Sequence, residues 1–264
     1  MPGKLILKKN FDRSLFRQAH GDVDKRKYIA DMISEYNSEM KREWSEEEKV
    51  LWVSEGNSKT HCRSYSTMPG VTCVNNYKFP PCFISGNCYA LADMTYSNVR
   101  AKAVHNTVLI KKYPAYFEKS YKEMNQLGMP RLHVEGDFVN ETELDIVNKY
   151  TKTLTMTYTK HYDMVNNYFN SHEQNQNLII IFSEWNGYPM PNPHNFPVCK
   201  VYSTVDKYIK AKEDRQCGHL IETEDGVLFN KGNCSECLLK HYEGNNNGGC
   251  FDLTAGMTVK MLAH

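Results

Sequence analysis

Seven of the nine cysteines in this 264-residue chain fall into two groups that lie more than a hundred residues apart. The groups read Cys73-x8-Cys82-x5-Cys88 and Cys217-x16-Cys234-x2-Cys237-x12-Cys250. Thiolates are preferred ligands of zinc and of iron–sulfur clusters, so cysteines at such spacings indicate metal binding. We therefore predict a metal or iron–sulfur site that ties two distant segments of the chain together.

A disulfide framework is the alternative use for so many cysteines. The count of nine is odd, whereas a disulfide framework pairs its cysteines. The segment from Met1 to Asn10 contains lysines but no apolar stretch typical of a secretory signal, so we expect a cytoplasmic protein. Structural disulfides are rare in that compartment, and metal binding is therefore the preferred interpretation.

The charge balance limits the classes of partner. Lys and Arg number 32 against 31 Asp and Glu, which argues against an extended basic surface for nucleic acid and leaves only a local patch open. The longest apolar run, Leu178 to Phe182, is far too short to span a membrane. We expect no membrane partner, and the sequence does not identify a small-molecule or protein partner.

The first cysteine group favours an iron–sulfur cluster. Zinc sites usually contain ligand pairs two to four residues apart, and Cys73, Cys82 and Cys88 contain none. Three thiolates leave one coordination position, which a distant cysteine, a substrate or a small molecule could fill. A zinc-stabilised loop is the alternative.

The second group does contain such a pair, Cys234 and Cys237. A zinc site made by these two with Cys217 and Cys250 is at least as well supported as an iron–sulfur site. Seven cysteines make four plus three, so one site must have an open position or a ligand of another type. We interpret the remaining two, Cys62 and Cys199, as ordinary small buried residues.

Acidic residues follow a predicted strand at 131–134. Glu135 and Asp137 come at its carboxyl end, where parallel α/β folds bind ligands, and we predict that they act as acid/base groups. In the alternative interpretation His133 is a hydrogen-bonded core residue and Asp137 caps the next helix. A zinc hydrolase that uses His133, Glu135 and Asp137 as ligands is a further hypothesis.

The elements that would position these residues alternate between strand and helix. Helices are predicted at 24–42, at 97–126 with a break at Pro114, and at 143–150, 163–169 and 205–212; strands are predicted at 131–134, 154–159, 178–182, 200–203 and 219–221. This alternation predicts an α/β fold with parallel strands, a partial or irregular TIM-like barrel with cysteine-rich loops at both ends. We assign residues 1–45 to an N-terminal helical extension and residues 46–264 to a single metal-binding domain.

Several of these motifs together resemble the "gene product 88" family of bacteriophage proteins. The matching motifs are Leu51 to Lys59, Ser66 to Cys73, Cys88-Tyr89-Ala90, the strand from Arg131 to Phe138, Thr157 to Lys160, and Cys234-x2-Cys237. The resemblance covers about residue 50 to the end of the chain. It implies a protein of the host cytoplasm.

The resemblance implies an iron–sulfur protein with a barrel-like α/β fold, distantly similar to radical S-adenosylmethionine enzymes. On this basis a 4Fe–4S cluster is expected on Cys73, Cys82, Cys88 and one C-terminal cysteine. The chain lacks the Cys-x3-Cys-x2-Cys run of those enzymes, which argues against cleavage of S-adenosylmethionine. Lys240 stands where family members often carry a cysteine, so Cys250 or His241 could substitute.

Overall fold

A computed structural model of the chain describes most of its residues. The described ranges are 6–8, 25–56, 60–73, 88, 90–184, 189–202, 205–212, 214–216, 220–223, 226–229, 234–244 and 249–262. Cys82 and Cys217 lie outside these ranges, as does Asp24, the first residue of the helix predicted at 24–42.

Helices and strands alternate along most of the chain. The helices are α1 (Lys25–Lys41), α2 (Ala90–Asp93), α3 (Ser97–Lys112), α4 (Pro114–Gln126), α5 (Glu141–Tyr150), α6 (Tyr162–Phe169), α7 (Val205–Lys210) and α8 (Cys234–Tyr242). The strands are β1 (Ile6–Lys8), β2 (Ser64–Tyr65), β3 (Arg131–Leu132), β4 (Thr155–Thr159), β5 (Leu178–Ser183), β6 (Val198–Tyr202), β7 (Arg215–Gln216), β8 (Leu220–Thr223), β9 (Gly226–Phe229) and β10 (Thr258–Leu262). A 3₁₀ turn at Gly249–Asp252 precedes β10.

Local sequence explains several of these boundaries. Pro114 opens α4 at the first helical position, where its missing N–H costs nothing. Asn140 caps α5, because its side chain accepts a hydrogen bond from Glu143 N at 2.9 Å. The apolar run that forms β5 is buried on both faces, as is usual in a parallel sheet.

Seven strands form one sheet in the order β2-β3-β4-β5-β6-β10-β7, and all six pairings are parallel. The predicted α/β class with parallel strands is therefore confirmed. Among the described residues no pairing joins the edge strands β2 and β7, so the sheet is open there. The last strand, β10, lies between β6 and β7, a position that the order of elements along the chain did not predict.

The two faces of this sheet carry separate apolar clusters. Ile180 and Phe182 face the larger cluster, which includes buried side chains of helices α3 to α6. Met156, Ile181 and Val259 face the smaller one, which α8 and the 3₁₀ turn help to close. Helices α3 to α6, which connect β2 to β5, thus lie on one side, as right-handed connections between strands in sequential order require.

A second sheet has the antiparallel order β1-β9-β8. The predicted strand at 219–221 exists as Leu220–Thr223, but it pairs with β9 in this sheet and not with the parallel strands. Only two residues separate β8 from β9, which suits a hairpin and is too short for a parallel crossover.

The first helix packs onto the main body of the molecule. Met32 of α1 is fully buried in the larger apolar cluster. Glu35 of α1 accepts a hydrogen bond from Arg100 of α3, with 3.0 Å between Oε1 and Nε. In the described part of the chain, no helix combines the length and the apolar character needed to cross a bilayer.

Candidate functional site

Polar side chains gather at the carboxyl ends of β2 to β5. We call this group the strand-end site; its members are Ser66, Glu135, Asp137, Lys160 and Ser183. Each follows or ends its strand, as the sequence predicted for Glu135 and Asp137. The site is largely buried: Glu135 is 6% exposed and Asp137 2%.

The loop after β3 approaches the segment after β2 very closely. Gly136 has a φ of +80°, and a Cβ placed on it would lie 2.3 Å from Thr67 Oγ1 and 2.5 Å from Thr67 O. Glycine is required here both by the positive φ and by the lack of space. The approach allows Glu135 O to accept from Thr67 N at 3.1 Å, while the Glu135 carboxylate accepts from the Ser66 hydroxyl.

Asp137 uses both carboxylate oxygens to hold backbone N–H groups. Oδ1 accepts from Phe138 N and Oδ2 accepts from Lys160 N, each at 2.8 Å. Its own N–H donates to Thr72 Oγ1 at 2.9 Å. Asp137 therefore joins the ends of β3 and β4 and does not cap α5, which Asn140 caps instead.

Lys160 extends the strand-end site to β5. Its Nζ lies 3.2 Å from Ser183 Oγ, to which it donates a hydrogen bond. The next residue, His161, is hydrogen-bonded through Nε2 to Thr72 O. The ends of β4 and β5 are thus fixed to the segment that leads into Cys73.

A buried hydrogen-bond network lies beneath this site, between the sheet and α5. We call it the histidine network; its members are Tyr65, His133, Glu143 and Thr157. Nδ1 of His133 is hydrogen-bonded to Thr157 Oγ1 at 2.8 Å, and Nε2 to Glu143 Oε1 at 2.9 Å. Tyr65 donates to the same Glu143 oxygen at 2.7 Å, and Val139 N donates to the other at 2.6 Å.

Burial and the nearby Glu143 carboxylate raise the pKa of Tyr65 well above its ordinary value. The side chains of His133 and Glu143 are fully buried. His133 takes a φ of +49°, which turns its ring into the core. The interpretation of His133 as a hydrogen-bonded core residue is therefore confirmed.

This geometry does not support a zinc hydrolase with His133, Glu135 and Asp137 as ligands. Both ring nitrogens of His133 are bonded inside the core, and both oxygens of Asp137 hold backbone groups. Within the described ranges no three His, Cys, Asp or Glu side chains are grouped so as to hold a metal. The acid/base role predicted for Glu135 and Asp137 stays a prediction.

The first cysteine group is described in part. Cys73 directly follows Thr72, which is bonded to the loops after β3 and β4, and Cys88 lies just before α2; both are half-buried. None of the seven described cysteines forms a disulfide. The predicted participation of Cys82 and Cys217 in metal binding lies outside the described residues.

Three members of the second cysteine group lie on the face of the sheet that carries the smaller apolar cluster. Cys234 and Cys237 of α8 pack against the smaller apolar cluster, and Cys250 is buried within it. Cys250 Sγ lies 2.7 Å from Tyr158 Oη. Cys62, which we expected to be an ordinary buried residue, is hydrogen-bonded to Cys234, and this contact together with burial raises its pKa.

We call Cys62, Cys234, Cys237 and Cys250 the thiol cluster. Sequence reasoning placed three of its members in a metal site and missed Cys62. No local signal could have identified it, because the contact joins a loop before β2 to a helix near the end of the chain. The arginine beside this cluster was also missed: Arg131 lies 4.4 Å from the centre of the Tyr158 ring.

A cavity of about 270 Å³ lies at the other end of the sheet, where β5 and β6 begin. Asn175, Phe196 and Ala255 are among its lining residues, and His194 is its one titratable group. A lone histidine among amides and apolar side chains makes a weak catalytic site, so the strand-end site and the thiol cluster remain the candidates for chemistry.

Comparison with known proteins places the chain in a family. Residues 21–244 match the family model described as "Gene product 88". The match begins earlier than the motifs that we recognised, and so it includes α1, which we expected to lie outside the resemblance. It ends at residue 244, whereas we expected the resemblance to reach the end of the chain. No curated protein and no solved structure matches the chain. Since the match covers most of the sequence, the chain belongs to the gene product 88 family.

Proposed function

We propose that this protein is a phage iron–sulfur protein whose 4Fe–4S cluster is held by Cys73, Cys82 and Cys88 beside the carboxyl ends of the parallel strands. One observation carries the proposal, namely the anchoring of the residue before Cys73. Thr72 accepts from Asp137 N at 2.9 Å through its hydroxyl and is bonded to His161 through its carbonyl. A cluster held there would adjoin the strand ends, where parallel α/β folds bind ligands.

The donor chemistry fits such a group. The three proposed ligands are all cysteines, and cysteine thiolates are the usual ligands of iron–sulfur clusters. Cys73 and Cys88 are half-buried, which limits solvent access without sealing the site. A fourth ligand from the C-terminal cysteines, or an open position, would complete the set.

When bound, the cluster supplies electron transfer and an iron position that a small molecule can occupy. Lys160 places a positive charge beside Ser183, where it would hold an anionic part of a substrate. Glu135 lies where a carboxylate could exchange a proton with that substrate, through or beside the Ser66 hydroxyl. Asp137 fixes the backbone N–H of Lys160 and is assigned a positioning role.

We also propose that the open sheet is a partial, irregular TIM-like barrel. Its crossover helices from β2 to β5 lie on one face, as they do outside such a barrel, and α8 with the 3₁₀ turn covers the other face. Cleavage of S-adenosylmethionine is not part of the proposal, since the chain lacks the usual three-cysteine run.

Analysis of anaerobically purified protein tests the cluster. We expect brown protein with broad visible absorbance that contains both iron and acid-labile sulfide. Cys73→Ser and Cys88→Ser should lose most of the iron and sulfide, whereas Cys199→Ser, a buried cysteine on β6, should retain them. Colourless protein that contains zinc and no sulfide would overturn the proposal.

A second candidate is a non-catalytic protein that binds a host factor or nucleic acid and uses its metals for stability alone. The carboxylates of Asp137 and Glu143 favour it, because both are engaged in holding the fold. With a formal net charge of +1, the chain gives no general support for nucleic acid as the partner. Unchanged stability and cluster content in Glu135→Gln, together with the lack of any redox activity, would favour this candidate.

A further inference from the structure

Three cysteines near the end of the chain lie in or against the smaller apolar cluster on one face of the sheet. Cys234 and Cys237 are the first and fourth residues of α8, so their side chains lie on the same side of the helix. A Cβ built on Gly249 would lie 3.2 Å from Cys237 Sγ, so Cys237 adjoins the 3₁₀ turn that contains Cys250. These three thiols therefore occupy neighbouring turns of the chain.

Cys62 reaches the same place from a distant segment. Ser235 N donates to Thr60 O at 3.2 Å, and the Ser235 hydroxyl donates to His61 O. These bonds attach the start of α8 to the loop that contains Cys62, which is 8% exposed and hydrogen-bonded to Cys234. The contact between Cys62 and Cys234 is thus supported by hydrogen bonds to backbone carbonyls as well as by the thiols themselves.

Positively charged groups lie beside the cluster. Arg131 stacks on Tyr158, whose hydroxyl contacts Cys250. Its positive charge acts to lower the pKa of Cys62, against the larger effects of Cys234 and burial, which raise it. The N-terminus of α8, which begins at Cys234, adds a partial positive charge. A bound metal cation would supply the positive charge that ionised thiolates need when they lie against apolar side chains.

We propose that Cys62, Cys234, Cys237 and Cys250 are the four ligands of a structural zinc site that joins the loop before β2 to the C-terminal helix. The Cys-x2-Cys pair and the closed, four-thiolate set are typical of structural zinc. No three of these side chains are grouped at ligand distances as the structure describes them, so binding requires the thiols to turn toward a common centre. Cys62 replaces Cys217 in the set that the sequence indicated.

The zinc site is independent of the iron–sulfur cluster proposed at Cys73, Cys82 and Cys88. Iron and sulfide are therefore measured together with zinc in every sample. Loss of iron in Cys73→Ser without loss of zinc is expected. Protein that contains no iron but still holds zinc on the thiol cluster would contradict the proposed iron–sulfur function and would support the zinc site.

Zinc affinity of the full-length protein, measured against a chromophoric chelator, tests the ligand set. Loss of a ligand should weaken binding at least about 10-fold, since loss of an outer-shell partner alone costs that much. We expect this loss in Cys62→Ser and Cys234→Ser and wild-type affinity in Cys199→Ser and Cys217→Ser. Loss in Cys217→Ser with retention in Cys62→Ser would overturn the assignment.

A measurement on the wild-type protein tests the ligand set even if the cysteine variants fail to fold. Zinc-loaded and chelator-treated protein is alkylated, and mass spectrometry locates the modified cysteines. Zinc should protect Cys62, Cys234, Cys237 and Cys250 and leave the labelling of Cys199 unchanged. Equal labelling with and without zinc, or a disulfide between Cys62 and Cys234 in zinc-loaded protein, would contradict the proposal.

Discussion

The two faces of the parallel sheet bury polar groups in different ways. On the helix-covered face, the histidine network satisfies its members with protein partners: Glu143 accepts from Tyr65 and Val139 N and is bonded to His133. On the opposite face, the thiol cluster places sulfur atoms against apolar side chains beside Arg131. Thiols are weak hydrogen-bonding groups, so in the protein alone this arrangement is held mainly by apolar packing.

The two faces therefore illustrate two roles of buried polar residues, namely hydrogen bonding within the protein and the proposed binding of a metal. The histidine network stabilises one arrangement of the sheet against α5, because removing any member would leave a buried donor or acceptor without its hydrogen-bond partner. The thiol cluster has the composition of the zinc ligand set that we propose for it, in which the metal would be the stabilising partner. Removal of zinc should therefore weaken the second region and leave the first unchanged.

Removal of the central carboxylate should have the largest effect on stability. Glu143→Ala leaves Tyr65, His133 and Val139 N without their acceptor in the core. We expect the free energy of unfolding to fall by about 3–5 kcal/mol, the usual cost of breaking a buried charged network. Denaturant unfolding of Glu143→Ala and Glu143→Gln checks this, and the amide variant should lose less. A loss below about 1 kcal/mol, or a loss of bound zinc, would break the contrast between the two faces.

A pair of glycine variants sharpens the account of the strand-end site. Gly136→Ala adds a Cβ within 2.3 Å of Thr67, while Gly128→Ala, at a similar φ of +86°, meets nothing within 4 Å. The first should destabilise by about 3 kcal/mol or more, because strain and overlap add, and the second by about 1 kcal/mol from strain alone. Thermal or denaturant unfolding measures both. Equal losses would mean that the approach of Gly136 to Thr67 does not hold the site together.

The pH dependence of Tyr65→Phe is the smallest effect and tests the histidine network alone. Burial and Glu143 raise the pKa of Tyr65 in the folded state, so its contribution is complete below the unfolded pKa near 10 and is lost as the pH rises above it. From pH 9 to 11 the stability advantage of the wild type over Tyr65→Phe should shrink by about 1.4 kcal/mol. Urea unfolding at the two pH values gives the difference. A constant or growing advantage would show that Tyr65 ionises in the folded protein as easily as in the unfolded chain.

Much of the secondary structure could be read from periodicity. The long helices at 25–41 and 97–126, the break at Pro114 and the buried strand at 178–183 agree with the apolar patterns that predicted them. The two-residue strands β2 and β7 could not be read in this way, because they are too short to carry a period. The strand at 220–223 was recognised, but its pairing was not, since pairing depends on the turn that follows it.

The sequence by itself determined that this chain is an α/β protein with cysteines in metal-binding spacings, because both properties depend on residues close together along the chain. Only the tertiary structure decided which cysteines face one another, and that Asp137 after β3 holds a backbone group of a neighbouring loop. Cys62 meets Cys234, and Asp137 meets Lys160, through the path of the whole chain. Those contacts depend on how strands and helices pack, which local spacing does not encode.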